Sequence, residues 1–209
     1  MQGLFKKNMH RTPCVFDRFY RKNPFDGAYT VVAGLEHVID YLERLAFNED
    51  DIAYLRSTGI FEEDFLEYLK DFRFTGSVVA APEGTVVFPG EVLLRVKAPK
   101  DEAMLIETPL SMYLNNESLI ATKARRIRSV AGHDSLAEFG MRRAQGTNAA
   151  VYGARATIIG GFNGTSNVYS AAQYGIKPVG TMAHSWIMSF SDELTAFRAY
   201  AEQYENMLV

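Results

Sequence analysis

The sequence has one cysteine, four histidines and no long apolar run. Cys14 has no partner for a disulfide within the chain, which indicates a reducing compartment and a cytoplasmic location. The histidines are scattered, so no metal site is expected. No apolar run approaches the roughly 20 residues of a membrane-spanning helix, and residues 1–11 lack a signal-peptide core. We therefore expect no association with a membrane.

The sequence also has no excess of basic residues. Twenty-two Lys and Arg stand against 25 Asp and Glu, a formal charge of −3, which argues against a broad nucleic-acid-binding surface. The hydrophobic share of 47% and the charged share of 22% are those of an ordinary globular protein. A length of 209 residues allows one or two domains.

Residues 1–108 predict a small N-terminal domain of helices and short antiparallel strands. A strand is expected at residues 15–20, and apolar spacing predicts helices around residues 35–42, 48–59 and 61–69. Short apolar runs broken by glycine and proline predict a small antiparallel sheet or barrel, with strands at 78–79, 86–88, 92–96 and 104–106.

A long connecting helix is expected over residues 109–134. Thr108 is a suitable cap, Pro109 suits the first helical position, and Gly132 ends the helix. Four basic residues between positions 123 and 128 fit the negative end of the helix dipole. They form either a solvated helix end or a phosphate-binding cluster.

Residues 135–209 alternate between predicted strands and helices. Strands are expected at 136–139, 164–167 and 177–184, and helices at 149–159, 168–174 and 191–204. The last helix is predicted with Ser191 as cap and an apolar stripe of Leu194, Phe197, Ala201 and Tyr204. This alternation predicts βαβ units around a parallel sheet, so the fold class is α/β.

The chain is expected to be a piece of a larger protein. Residues 206–209 resemble the start of a fourth buried strand, and a closed (β/α)₈ barrel needs about 250 residues. We therefore expect residues 135–209 to be the first half of a barrel.

Two arginines follow the first predicted strand of that barrel, in the segment EFGMRRAQG (residues 138–146). Arg142 and Arg143 lie where α/β barrels bind ligands, and a guanidinium suits a carboxylate or a phosphate. The alternative is a surface loop with solvated arginines.

His184 is expected at the end of the third parallel strand, in the segment VGTMAHSW (residues 179–186). A histidine there can act as a base, a ligand or a nucleophile toward a phosphoryl group, with Trp186 as a pocket wall. The alternative is a half-buried histidine bonded to its own loop. Between the two motifs, GGFNGTSNV (residues 160–168) either binds an anion or merely stops a helix.

Together these motifs resemble the nicotinate phosphoribosyltransferase family in order and spacing. FDRFYRKNPF (residues 16–25) and ETPLSMYLNNE (residues 107–117) are similar to it as well, so the resemblance covers nearly the whole chain. It implies an N-terminal phosphoribosyltransferase domain followed by a partial type II phosphoribosyltransferase α/β barrel.

The resemblance implies an enzyme of NAD biosynthesis, a ligase-type glycosyltransferase that forms nicotinate mononucleotide. Its substrates are nicotinate, phosphoribosyl diphosphate and ATP, with Mg²⁺ neutralising phosphate charge. His184 matches the family histidine that ATP phosphorylates, which makes the protein a phosphoprotein. Arg142 matches the arginine that holds the nicotinate carboxylate, and Met141 replaces a more usual leucine in the pocket wall. Gly180 and Thr181 match positions that border nicotinate.

The family builds its site between two subunits, so a homodimer is expected. The sequence departs from the family pattern at both ends. A DLYQLTM-like segment, whose tyrosine stacks on the pyridine ring, does not occur before Met1. An LVDTYDT-like continuation, a second nicotinate-binding arginine and the phosphate-binding loops do not follow, so the chain itself is expected to have an incomplete site.

Two alternatives stay open. The first is a relative that uses nicotinamide or quinolinate, against which GTMAHSW argues. The second is a truncated, non-catalytic protein that binds a partner.

Overall fold

A computed structural model describes residues 1–204, so the strand predicted at 206–209 lies outside the described residues. The first part of the chain forms α1 (Gln2–Lys6), β1 (Pro13–Phe19), β2 (Thr30–Val31), α2 (Leu35–Arg44), α3 (Glu49–Ser57), α4 (Glu63–Lys70), β3 (Ser77–Ala80), β4 (Val86–Val87) and β5 (Val92–Pro99). The second part forms α5 (Lys100–Ala131), β6 (Ala137–Glu138), α6 (Thr147–Ile159), β7 (Gly164–Thr165), α7 (Val168–Tyr174), β8 (Lys177–Pro178), α8 (His184–Met188) and α9 (Glu193–Gln203).

The first part contains the small antiparallel sheet that the sequence predicts. β5 lies between β1 and β3 and pairs antiparallel with both, while β2 and β4 form a separate antiparallel pair. The buried face of β5 presents Leu94 and Val96 to the main core, where they join Ile106 and Leu110 of α5. The sheet is therefore held in place by the first half of α5.

α5 begins nine residues earlier than predicted, at Lys100 rather than Pro109. The strand predicted at 104–106 is therefore wrong, and Pro109 lies inside the helix. The early start is stabilised by two buried carboxylates in the first turn, Asp101 and Glu102, which suit the positive end of the helix dipole.

Distant partners satisfy these two carboxylates. The Tyr68 hydroxyl donates to Asp101 Oδ2 at 2.6 Å, and the Thr75 hydroxyl donates to Glu102 Oε1 at 2.8 Å. Gly132 ends α5, as predicted, with φ of 58°. The predicted division between residues 108 and 109 falls within this continuous helix, and the division itself stays a prediction.

The second part contains the predicted parallel sheet. Its order is β6-β7-β8, and Glu138 pairs with Thr165, which pairs with Pro178. The third strand is much shorter than predicted, because it ends at Pro178 and His184 begins α8 instead of ending a strand. None of the helices described within residues 1–204 combines the length and apolarity needed to span a membrane.

The last helix, α9, differs from its prediction in cap and in orientation. Asp192, not Ser191, caps it by accepting the Thr195 N–H at 2.9 Å. The four members of the predicted stripe are exposed and do not hold α9 against the rest of residues 1–204: Leu194, Phe197, Ala201 and Tyr204. α9 is instead held through Ala196, which is buried and whose carbonyl accepts the Trp186 indole N–H at 3.1 Å.

Candidate functional site

The carboxyl ends of the three parallel strands lie side by side at one edge of the sheet. We call this edge, formed by Glu138, Thr165 and Pro178, the carboxyl edge. In α/β folds such an edge is where ligands bind. The segments that leave β6 and β8 carry the five predicted site residues, and β7 separates these strands by about 10 Å, two strand spacings.

The segment after β6 forms a single-turn 3₁₀ helix, Met141–Arg143. The Arg143 N–H donates to the Gly140 carbonyl at 2.9 Å and closes the turn. We call residues 140–143 the exit turn. Met141 is half exposed, at 51%, and Arg142 is exposed, so both side chains are accessible to a ligand.

A cavity of about 380 Å³ lies between the exit turn, α5 and α6. Met141 lines it, whereas Arg142, Gly180, Thr181 and His184 do not belong to its lining. Phe139 also lines it and is 44% exposed, a residue that the sequence analysis did not select. The sequence feature that could have identified Phe139 is its position directly after a predicted strand and before a glycine.

The segment between β8 and α8, residues 179–183, has no regular secondary structure. Gly180 and Thr181 are exposed in it, and His184 is the exposed first residue of α8. Over residues 1–204, the five predicted site residues share the carboxyl edge without a side-chain hydrogen bond between them. Trp186 packs against Phe190, with ring centroids 5.0 Å apart, rather than lining the cavity beside the exit turn.

Glu138 connects the exit turn to the neighbouring strand. Its carboxylate accepts the Gly140 N–H through Oε1 and the Thr165 hydroxyl through Oε2, the latter at 2.6 Å. The Thr165 hydroxyl in turn accepts the Asn167 N–H at 3.0 Å. Thr165 is fully buried and Asn167 is 4% exposed, so this chain of hydrogen bonds lies beneath the carboxyl edge.

The glycine segment and the basic end of α5 meet at the opposite edge of the sheet. Arg128 donates from Nε to the Gly161 carbonyl at 2.7 Å and from Nη2 to Asn163 Oδ1 at 2.6 Å. A Cβ added to Gly160 would lie 2.4 Å from the Ala124 Cβ, so this glycine permits close packing of α6 on α5. These contacts support the structural interpretation for Arg128 and Gly160, whereas Lys123 of the same basic cluster lines the cavity beside the exit turn.

A buried ionic network joins the N-terminal part to α6 and α7. His37 Nδ1 lies 2.6 Å from Glu117 Oε1, and His37 Nε2 lies 3.0 Å from the Tyr174 hydroxyl. Arg155 reaches Glu83 Oε2 at 2.5 Å and Glu117 Oε2 at 3.4 Å. The Glu117 side chain is fully buried, so this network removes a whole carboxylate from water.

Burial raises the pKa of two groups in this network, Glu117 and Tyr174. It raises the pKa of Glu117, against the opposing effect of His37 and Arg155. It also raises the pKa of Tyr174 to about 12, so this hydroxyl keeps its proton. The Tyr174 proton can thus be donated to His37 Nε2, while His37 Nδ1–H donates to Glu117.

The chain matches two family models. Residues 1–115 match the nicotinate phosphoribosyltransferase (NAPRTase) N-terminal domain, and residues 135–206 match the nicotinate phosphoribosyltransferase (NAPRTase) family. Among curated proteins, a nicotinate phosphoribosyltransferase of Mycobacterium tuberculosis is 45% identical over 97% of this chain. The nicotinate phosphoribosyltransferase of Bacillus subtilis is 45% identical over 98% of it.

Solved structures agree in fold. Human nicotinic acid phosphoribosyltransferase superposes with a TM-score of 0.84 at 35% identity, covering 91% of this chain and 39% of that one. A nicotinate-nucleotide pyrophosphorylase from Pyrococcus furiosus gives a TM-score of 0.77 at 28% identity, covering 95% and 43%. The mixed α/β fold is therefore shared with part of each of these two proteins.

The chain spans less than half the length of the curated relatives, 44% of the Mycobacterium tuberculosis protein and 42% of the Bacillus subtilis protein. Identity at this level over nearly the whole chain, together with both family models, leads to one conclusion. The chain belongs to the nicotinate phosphoribosyltransferase family.

Proposed function

We propose that the protein containing this chain joins nicotinate to phosphoribosyl diphosphate, assisted by ATP, and forms nicotinate mononucleotide for NAD biosynthesis. The observation that carries the proposal is the shared carboxyl edge, where the EFGMRRAQG motif follows β6 and the GTMAHSW motif follows β8, with β7 between the two strands. Family membership supplies the reaction type.

In the proposed reaction the pyridine nitrogen of nicotinate forms a bond to C1 of the ribose. The bond from C1 to the diphosphate oxygen breaks, and pyrophosphate leaves with the electron pair. Arg142 holds the nicotinate carboxylate through parallel N–H donors, and Met141 borders the ring. Gly180 and Thr181 border the substrate from the β8 side.

His184 accepts the γ-phosphoryl group of ATP in this proposal. A neutral imidazole nitrogen forms the bond to phosphorus, and ADP leaves with the electrons of the broken P–O bond. The described residues, 1–204, contain no group of three His, Cys, Asp or Glu side chains placed to hold a metal. In this proposal Mg²⁺ enters with the substrates, bound by ATP and diphosphate oxygens.

A homodimer and a cytoplasmic location belong to the same proposal. Exposed apolar side chains on β1, Val15 at 53% and Phe19 at 41%, offer interface surface. Light scattering of the full-length gene product at micromolar concentration should give twice the monomer mass. A monomer would contradict this part of the proposal.

The deciding experiment is a product assay of the full-length gene product. Nicotinate, phosphoribosyl diphosphate and Mg²⁺ are supplied with and without ATP, and nicotinate mononucleotide is measured by chromatography. The Bacillus subtilis relative serves as the positive control. Product that increases with ATP supports the proposal.

Parallel reactions with nicotinamide and with quinolinate test the second candidate function. The structural likeness to a nicotinate-nucleotide pyrophosphorylase motivates that arm. Turnover of either compound in preference to nicotinate would replace the proposed substrate. The absence of any product beside an active control would favour a non-catalytic protein.

A further inference from the structure

We propose that Glu138 and Thr165 form a positioning pair that holds the exit turn in the shape that presents Arg142. The pair lies on adjacent strands, β6 and β7, in direct register. The two residues act on the exit turn and not on the substrate, and the inference rests on the proposed role of Arg142 in binding nicotinate.

The carboxylate of Glu138 fixes the first residue of the turn. It accepts the Gly140 N–H, and Gly140 is where the chain leaves the strand and enters the 3₁₀ helix. A hydrogen bond to an ionised acceptor is about twice as strong as one between neutral groups. The remaining backbone bonds of the turn are local, from Arg143 N–H to Gly140 and from Ala144 N–H to Met141.

Thr165 holds the carboxylate of Glu138 in place. Its hydroxyl oxygen accepts the Asn167 N–H, so the hydroxyl proton is left to point at Glu138 Oε2. Thr165 is fully buried, which leaves its hydroxyl no water to bond instead. A β-branched residue also has few side-chain rotamers, so the hydroxyl is set before any ligand arrives.

Backbone bonds extend the same connection across the sheet. The Ser166 N–H donates to the Glu138 carbonyl, and the Val179 N–H donates to the Thr165 carbonyl, both at 2.9 Å. Val179 leads directly into the segment with Gly180 and Thr181. The pair therefore lies at the junction of all three strand exits.

The test compares Thr165→Val with Thr165→Ser in the full-length gene product. Valine keeps the branched shape and removes the hydroxyl, while serine keeps the hydroxyl. Thr165→Val should raise the nicotinate KM about tenfold, the cost of one buried hydrogen bond, with little change in kcat. Thr165→Ser should restore most of that loss, and the KM for phosphoribosyl diphosphate should not move.

A double-mutant cycle distinguishes an effect that acts through Arg142 from a general loss of structure. If the pair acts through Arg142, Thr165→Val should change the nicotinate KM less than about twofold once Arg142→Ala is present. Full additivity of the two substitutions would overturn the proposal, and so would equal nicotinate KM values for the valine and serine variants.

Hydrogen exchange of the full-length gene product tests the geometry independently of activity. Peptides that contain the Gly140 amide should exchange faster in Thr165→Val than in Thr165→Ser. Unchanged protection would overturn the pair even if the enzyme is active. Glu138→Gln, which keeps the size of the side chain, provides a second variant if valine prevents folding, and it should also speed exchange at Gly140. A nicotinate KM unaffected by Arg142→Ala would instead count against the proposed function.

Discussion

At the residue scale, the exit turn leaves both arginines of the EFGMRRAQG motif exposed. Arg143 lines the neighbouring cavity together with Met141, whereas Arg142 is the arginine that the family resemblance matches to the nicotinate carboxylate. Arg142→Ala in the full-length gene product should raise the nicotinate KM strongly, because losing a charge-assisted contact costs on the order of 2–4 kcal/mol. Arg142→Lys should recover only part of this, since lysine keeps the charge and lacks the planar fork. Steady-state kinetics with varied nicotinate would reject the assignment if KM stayed constant.

His184 is the residue expected to carry phosphate. It is exposed at the first position of α8, whose next residue is Ser185. A serine needs an adjacent base to become nucleophilic, whereas a neutral imidazole does not. Labelled ATP should give a phosphoenzyme that is labile in acid and stable in alkali.

The matched variants are His184→Ala, which should lose the label, and Ser185→Ala, which should keep it. A label that is stable in acid, or that persists in His184→Ala, would show that a residue other than His184 is phosphorylated.

The sequence alone points to these two residues, whose roles stay predictions, but it does not reveal the residues that support them. Arg142 and His184 stand in short motifs whose residue types suggest a role. The bond between Glu138 and Thr165 depends on the register of two strands 27 residues apart, and neither residue marks that pairing locally. Phe139 was missed because an aromatic residue beside a strand is more often part of a core.

At the element scale, the proline within α5 has a measurable cost. Pro109 lies nine residues after Lys100, and its ring lacks the N–H that would bond to the Leu105 carbonyl. Pro109→Ala should increase the free energy of unfolding by up to about 3 kcal/mol.

Pro99, at the cap position of the same helix, provides the control. Pro99→Ala should change stability by less than about 1 kcal/mol and with the opposite sign, through the unfolded chain. Urea denaturation followed by circular dichroism measures both. A Pro109→Ala variant less stable than the parent chain would show that a bend in α5 is required.

The start of α5 could not be predicted locally, for a physical reason. Residues 104–106 are a short apolar run, which suits either a strand or a buried helix turn. The choice is made by Asp101 and Glu102, whose burial depends on Tyr68 and Thr75, 33 and 27 residues away. By contrast, α3 was predictable because Asn48 and the following acidic residues form a local cap.

At the scale of the whole molecule, Arg155 joins the two parts of the chain. It lies on α6 and pairs with Glu83 and with the fully buried Glu117. Arg155→Met should lower the free energy of unfolding by about 3–5 kcal/mol, because it leaves a buried carboxylate without its cation.

Arg198, exposed on α9, is the matched control, and Arg198→Met should stay within about 0.5 kcal/mol of the parent chain. Urea midpoints of the two variants decide the matter. Equal midpoints for the two variants would mean that the Arg155 ion pairs do not contribute to the free energy of unfolding.

Two carboxylates of this network should respond to pH in opposite ways. Burial acts to raise the pKa of Glu83, but Arg155 and the N–H groups of Gly34 and Leu35 hold it below its ordinary 4.5. Glu83 therefore contributes stability above pH 4.5 that is lost as pH falls through its lower folded pKa. Burial raises the pKa of Glu117, so its effect on stability becomes less favourable as pH rises above 4.5.

Urea unfolding of Glu83→Gln and Glu117→Gln between about pH 3 and pH 8 tests this. The deficit of Glu83→Gln relative to the parent chain should shrink below pH 4.5, the ordinary pKa of the group. Glu117→Gln should gain on the parent chain above that value. Parallel curves for all three proteins would contradict both directions.

The unbroken course of α5 has a mechanical consequence. Its 32 residues amount to a rod of about 48 Å. One end is clamped by carboxylates in the N-terminal core, and the other is clamped by Arg128 to the loops under the parallel sheet. A tilt of about 5° at the first clamp displaces the far end of such a rod by about 4 Å, more than the length of a hydrogen bond. The accuracy with which Asp101 and Glu102 are held at one end of α5 therefore affects the position of the loops that Arg128 binds at the other end.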